Sequence, residues 1–140
     1  MASKHNFRAK TINDAMLGEL VNLANRVGEF YSIKLKDTLN QGKSPPSSPP
    51  GGPPYVRTGT LLRSFRTRPA KRIGKRVVLT LGTNVLYARP LEYGTTRMAA
   101  RPYFGPTVRD SANRAKVNRE VAKVGARVRA AIRRGARRSQ

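Results

Sequence analysis

The chain has no cysteine and no tryptophan, a single histidine, and seven acids against 29 lysines and arginines. Each shortage excludes something. Without cysteine there is no disulfide framework and no thiolate chemistry. A lone His5 cannot complete a transition-metal site. The acids are Asp14, Glu19, Glu29, Asp37, Glu92, Asp110 and Glu120. They are scattered, and no two form the close pair that general acid–base catalysis uses. The glycines match neither a phosphate-cradling GxxxxGK[ST] loop nor a strand-linked GxGxxG turn. These gaps point away from an enzyme and predict no cofactor and no metal. Apolar residues make up 38% of the chain and aromatics 6%, so a core is possible but thin. No apolar run reaches the roughly 20 residues that cross a bilayer. No stretch reads as a secretory leader, and no membrane partner is expected.

Positive charge is what the chain has in abundance. A net charge of +22 on 140 residues exceeds what solubility requires. It implies a polyanion or a strongly acidic protein as partner. The length suits one domain, 1–140.

Residues 1–10 are polar and basic, and are expected to be flexible. Thr11 and Asp14 have capping-box spacing. Leu17, Leu20, Ala24, Val27, Tyr31 and Leu35 then recur in steps of three and four. That period predicts an amphipathic helix over about 12–39, stopped near Gly42. The 43–56 segment contains SPPSSPPGGPP, a proline density that no helix or central strand tolerates. An extended loop is expected there, with a docking ligand for an SH3-like groove as the rarer reading. Residues 60–64 suit one helical turn. Residues 65–68 read as a strand closed by Pro69, and 76–81 (RVVLTL) as a second strand, paired across the 71–75 turn. Two strands alone are marginal, so more are expected near Tyr87 and over 96–102. A short helix over 87–93 would end at Gly94. Thr107 and Asp110 repeat the capping-box spacing. They predict a C-terminal helix over about 108–135, followed by a basic tail, 136–140. Val117, Val121, Val124, Val128 and Ala131 or Ile132 would form its apolar stripe. Arg127, Arg129, Arg133, Arg134, Arg137 and Arg138 follow with no intervening acid. Favourable interaction with the helix dipole does not account for so many.

The densest stretch is 81–106, LGTNVLYARPLEYGTTRMAARPYFGP. It joins Tyr87, Tyr93, Tyr103 and Phe104 to three glycines and three prolines, as a shaped corner would. Glu92 lies within it between Leu91 and Tyr93. It is expected beside a buried face, in an ion pair with Arg97, Arg101 or an arginine of a neighbouring subunit.

Four short elements occur in order across 57–107: TGTLLRS with Thr58, Gly59, Leu61 and Ser64; GTNVLYA with Gly82, Thr83, Asn84, Tyr87 and Ala88; LEYGT with Glu92, Tyr93, Gly94 and Thr95; and MAARPY with Met98, Ala100, Arg101 and Pro102. With a long helix on each side, this order resembles the head–tail joining, or tail-completion, proteins of long-tailed bacteriophages. Pro90 departs from the pattern, since an ordinary helix residue is usual there. The proline-rich loop and the strongly basic C-terminal helix also look particular to this chain.

The resemblance implies an α+β fold: a small antiparallel sheet packed by a long N-terminal helix and a long basic C-terminal helix. It implies a structural virion protein in the neck, assembled in the host cytoplasm, that forms a ring, commonly a hexamer, at the head–tail junction. The ring would complete the tail and join it to the head connector. Partners would be further copies of the chain, head-side connector proteins, the tail tube or tail terminator, and viral DNA at the genome end. The arginine cluster would meet that DNA or acidic protein surfaces. Two other readings stay open: a small basic cellular nucleic-acid-binding protein, and another virion ring protein such as a tail terminator.

Overall fold

The computed structural model describes residues 4–41, 48–74 and 76–137. No glycine or proline falls between positions 4 and 17, so nothing interrupts a helix there. Helix α1 accordingly spans Lys4–Leu39, about 54 Å at 1.5 Å per residue. It starts eight residues before the position the capping-box spacing suggests. Thr11 and Asp14 therefore lie inside it and begin nothing. The expected stop at Gly42 falls outside the described residues.

Helix α2 (Thr60–Ser64) is the single turn that the sequence suggests. Strand β1 (Arg66–Ile73) pairs antiparallel with β2 (Arg76–Gly82) around the Gly74 turn. Pro69 does not close β1. It lies where the register shifts, between the Arg68↔Thr80 and Lys71↔Val78 pairs. A bulge tolerates a residue without an N–H. The neighbouring Ala70 N–H turns out of the ladder and donates to Asn25 Oδ1 of α1 at 2.7 Å.

No third strand forms among the described residues. The candidate segment after Gly94 instead folds into a tight turn, with one isolated bridge between Thr95 and Met98. The hairpin gains its support from α1, which packs along both strands. The architecture is α+β: a two-stranded antiparallel sheet packs on a long N-terminal helix, which also meets a long C-terminal helix.

Helix α3 (Ala88–Tyr93) ends at Gly94 as expected. The C-terminal region differs. Helix α4 (Phe104–Arg109) stops at Asp110, and α5 (Ser111–Arg137) starts immediately after it. Asp110 Oδ1 accepts the Asn113 N–H at 2.8 Å, so Asp110 is the cap. The Thr107 hydroxyl is engaged elsewhere, donating to Tyr103 O at 2.6 Å inside α4. Gly135 does not stop α5, which runs two residues past it.

The core gathers the C-terminal end of α1 against α2, α3 and α4: Leu35, Leu39, Leu61, Phe65, Ala88 and Tyr103. Phe65 meets Tyr103 edge-on at 6.0 Å and stacks near Phe104 at 6.3 Å. The apolar stripes of the long helices are only partly used. On α1, Leu23 is buried while Leu20 is exposed. On α5, Val124 is buried while Val121 and Ile132 are exposed.

Gly28 is where α1 comes closest to the hairpin. A Cβ there would lie 2.5 Å from Thr67 Cγ2 and 2.9 Å from Leu79 Cδ1. At Gly18 a Cβ would meet nothing. The same substitution is therefore expected to have opposite signs. Gly18→Ala should stabilise by roughly 0.5–1 kcal/mol through helix propensity. Gly28→Ala should destabilise by about 1 kcal/mol, because overpacking outweighs that gain. Urea denaturation of both variants checks it, and two shifts of the same sign would contradict the packing.

Candidate functional site

The sequence elements from 57 to 107 meet in space. At the first junction, Ser64 Oγ donates to Leu61 O at 2.7 Å and lies 2.5 Å from Thr83 Oγ1. Since the Ser64 proton is committed to Leu61, Thr83 donates to Ser64 and accepts the Val85 N–H at 3.2 Å. One hydroxyl relay thus ties the TGTLLRS turn to the GTN loop.

At the second junction, the Glu92 carboxylate reaches from α3 to the start of α4. Oε2 accepts the N–H groups of Tyr103 and Phe104, each at 2.9 Å, and Oε1 accepts that of Gly105 at 2.7 Å. The expected ion pair with Arg97 or Arg101 is not made. The first N–H groups of a helix have no intrahelical partner, and a carboxylate there also complements their positive end. Gly105 belongs to the arrangement, since a Cβ on it would lie 2.9 Å from Glu92 Oε1.

At the third junction, the 94–101 segment folds back on α3. Gly94 N–H donates to Pro90 O at 2.8 Å, and Arg101 N–H to Leu91 O at 2.7 Å. Thr95 and Met98 exchange backbone bonds across the turn. Arg101 then fastens the proline-rich segment, its Nε donating to Ser48 O at 3.1 Å. Gly51 N–H donates to Ala100 O at 2.9 Å.

These junctions frame a half-open groove of about 420 Å³ between α2, α3 and the proline-rich segment. Its lining is mostly apolar, with Leu61, Leu62, Leu91 and Met98, and Thr58, Gly59, Tyr87 and Arg101 open onto it. Six of the seventeen motif residues named from sequence, Thr58, Gly59, Leu61, Tyr87, Met98 and Arg101, are therefore brought together here. Glu92, Gly94 and Pro102 belong to the corner beside the groove. Gly82 ends β2, and nothing crowds the place a Cβ would take there. Sequence reading missed the groove's contributions from Leu39, Pro54 and Tyr55. No motif in the sequence marked them. Large apolar side chains stand uncovered nearby, Leu86 at 93% and Tyr93 at 77% exposure.

Tyr103 is the buried titratable group of the corner. Its hydroxyl donates to Ala88 O at 3.4 Å. Burial, then the Glu92 carboxylate, pushes its pKa from 10.0 up to about 12. Below pH 10 the folded and unfolded chains both keep the phenol proton. Between about 10 and 12 only the unfolded chain releases it, so stability falls across that window, by up to roughly 2–3 kcal/mol. Lysines titrate in the same range, so the readout is the stability gap between the wild type and Tyr103→Phe. The gap should move in favour of Phe as pH rises from 9.5 to 11.5 (about the window just given). A pH-independent gap would contradict the burial.

The arginine cluster lies apart from the groove. Arg127, Arg129, Arg133 and Arg134 are exposed along α5. Arg129, Arg133 and Arg134 border a shallow trough over Ala126 and Ala130. Arg137 is the last residue of α5, and Arg138 falls outside the described residues. The acid on this helix, Glu120, is bonded to Lys123 Nζ at 2.7 Å. That bond, ahead of the general attraction of nearby cations, holds its carboxyl below the usual range.

Among the described residues no group of acids and histidines could hold a metal ion, and no helix is long and apolar enough to cross a membrane. Comparison with protein-family models, with curated proteins and with solved structures returns no match.

Proposed function

We propose that this protein is a non-enzymatic structural component of a long-tailed phage particle. In this reading it closes into a ring, of six subunits, at the head–tail junction, completes the tail and joins it to the head connector. The observation that carries the proposal is the interlocking of the four motif elements. Ser64 is bonded to Thr83, Glu92 to the start of α4, and Arg101 to both Leu91 and the proline-rich segment. Residues that resemble a family pattern one by one thus form a single framed groove, which supports reading the pattern as a unit.

Exposed apolar side chains support assembly with neighbours. Long helices with half-covered apolar stripes, and an apolar groove beside uncovered Leu86 and Tyr93, suit a head-to-tail contact that closes by rotation. The α5 arginines would then face the genome end or an acidic ring of the neck.

The alternative, a small cellular nucleic-acid-binding protein, draws on the +22 charge and the small size. Neutralising Arg133, Arg134, Arg137 and Arg138 together addresses the cluster. Particles should then assemble poorly or lose DNA, while unfolding stability stays near wild type. Normal particles with normal DNA content would remove the cluster from the account.

A further inference from the structure

The hairpin carries Arg66, Arg68, Lys71, Arg72, Lys75 and Arg76 and no acid. Its two faces differ. Thr67 and Leu79 lie against α1 at Gly28, Ala70 is buried beside Asn25, and Arg72 pairs with Asp14 of α1 at 2.8 Å. Side chains alternate along a strand, and the bulge after Arg68 resets the alternation. Arg66, Arg68 and Lys71 therefore point away from α1, joined on the same face by Arg76 of β2. All four are exposed. Arg66 donates to two backbone carbonyls, of Arg63 and Phe65. The side chains of Arg68, Lys71 and Arg76 make no hydrogen bond or ion pair among the described residues.

This face is separate from the α5 cluster. Helix α1 lies between them, meeting the hairpin through Asn25 and Gly28 and α5 through Phe30, whose ring lies under Lys116 Nζ at 4.8 Å.

We infer that the outward face of the β1–β2 hairpin binds the phosphate backbone of double-stranded DNA. Neighbouring like charges on a sheet face destabilise it, and no group of the hairpin offsets that repulsion. A polyanion would. Residues two apart on a strand place side chains about 6.6 Å apart, close to the step between consecutive phosphates on one strand. Guanidinium forks match phosphate oxygens in a bidentate way, and a two-stranded ribbon fits the major groove of a duplex. A protein partner fits less well, because interface cores are depleted in charge and enriched in aromatics, and this face sets its two exposed aliphatics, Ile73 and Val78, among four cations and has no aromatic residue. The inference does not depend on the neck reading, since it concerns DNA binding by the purified chain.

The test is fluorescence anisotropy of the full-length protein with a DNA duplex of about 30 base pairs, over roughly 50–300 mM salt. One variant combines Arg68→Gln, Lys71→Gln and Arg76→Gln. A control removes the same charge elsewhere, with Lys36→Gln, Arg89→Gln and Arg97→Gln, all at exposed positions. Each phosphate contact contributes about 0.9 to the slope of log K against log salt, so the hairpin variant should lose about 2–3 from it and the control less than about 1. The three single hairpin substitutions, each expected to remove about 0.9, give the same reading if the triple variant folds poorly. Equal changes in hairpin and control variants would overturn the inference. So would displacement of the duplex by poly-glutamate as efficient, charge for charge, as by unlabelled DNA.

Discussion

Glu92→Ala is expected to lower the unfolding free energy by about 3 kcal/mol, because three backbone N–H groups lose their acceptor together. Those of Tyr103, Phe104 and Gly105 lie 2.7–2.9 Å from the carboxylate oxygens. An orphaned buried donor costs roughly 1–3 kcal/mol, and water reaching this half-buried site recovers part of the sum. Glu92→Gln keeps one acceptor oxygen and should lose about half as much. The alternative origin of such an effect, an ion pair, is separable. Arg97→Gln should be within about 0.5 kcal/mol of wild type, as for an ordinary surface site. Urea denaturation decides between them. A near-neutral Glu92→Ala, or an Arg97→Gln as costly as Glu92→Ala, would mean that the carboxylate does not anchor the corner.

Gly94→Ala should be comparably severe, about 3 kcal/mol, for a different reason. Gly94 has φ 76° and ψ 178°, a backbone region open essentially to glycine alone. The site is also full: a Cβ would lie 2.9 Å from both Ala100 N and Met98 O. These are backbone atoms of the segment that Arg101 and the proline-rich loop hold in place, so they cannot swing aside as a side-chain tip would. Gly51 and Gly74 give the comparison. Both have positive φ, at 80° and 60°, with open space where a Cβ would go. Alanine there should cost only about 1 kcal/mol. Equal losses at all three positions would show that conformation alone matters and that the 94–100 contact contributes nothing.

Local chemistry made much of the fold legible. The Thr60–Ser64 turn, β2, and α3 with its Gly94 stop follow from propensity and punctuation within a few residues. Failures arose where a distant element decided the outcome. Pro69 ends a strand by local rules, yet Asn25 of α1 accepts the N–H next to it and the strand continues through a bulge. Extra strands looked necessary for a two-stranded sheet, and α1 supplied the support instead. Thr107 and Asp110 share a capping-box spacing, but the buried Thr107 side chain turns to Tyr103 O and leaves the cap to Asp110. The site shows the same division. Glu92 was recognisable as the odd acid in a basic corner. Its partners were not, because sequence offers nearby arginines, while the carboxylate reaches a helix start that the chain presents only once folded. The motifs were legible as an ordered set, but the groove they frame was not. Its volume and its wall of Pro54 and Tyr55 needed the loop to fold back.

Charge and architecture lead to different parts of the functional account. The interlocked corner and the uncovered apolar surface support a subunit that assembles with neighbours. The cations of α5 and of the hairpin support contact with a polyanion on two sides of α1. A ring around the end of a packaged genome would use both. Electron cryomicroscopy of particles containing this chain, with the chain located by a specific label, tests that claim most directly. The account predicts closed rings of this protein at the head–tail junction. Absence of the chain from particles, with recovery only on ribosomes or cellular DNA, would contradict it.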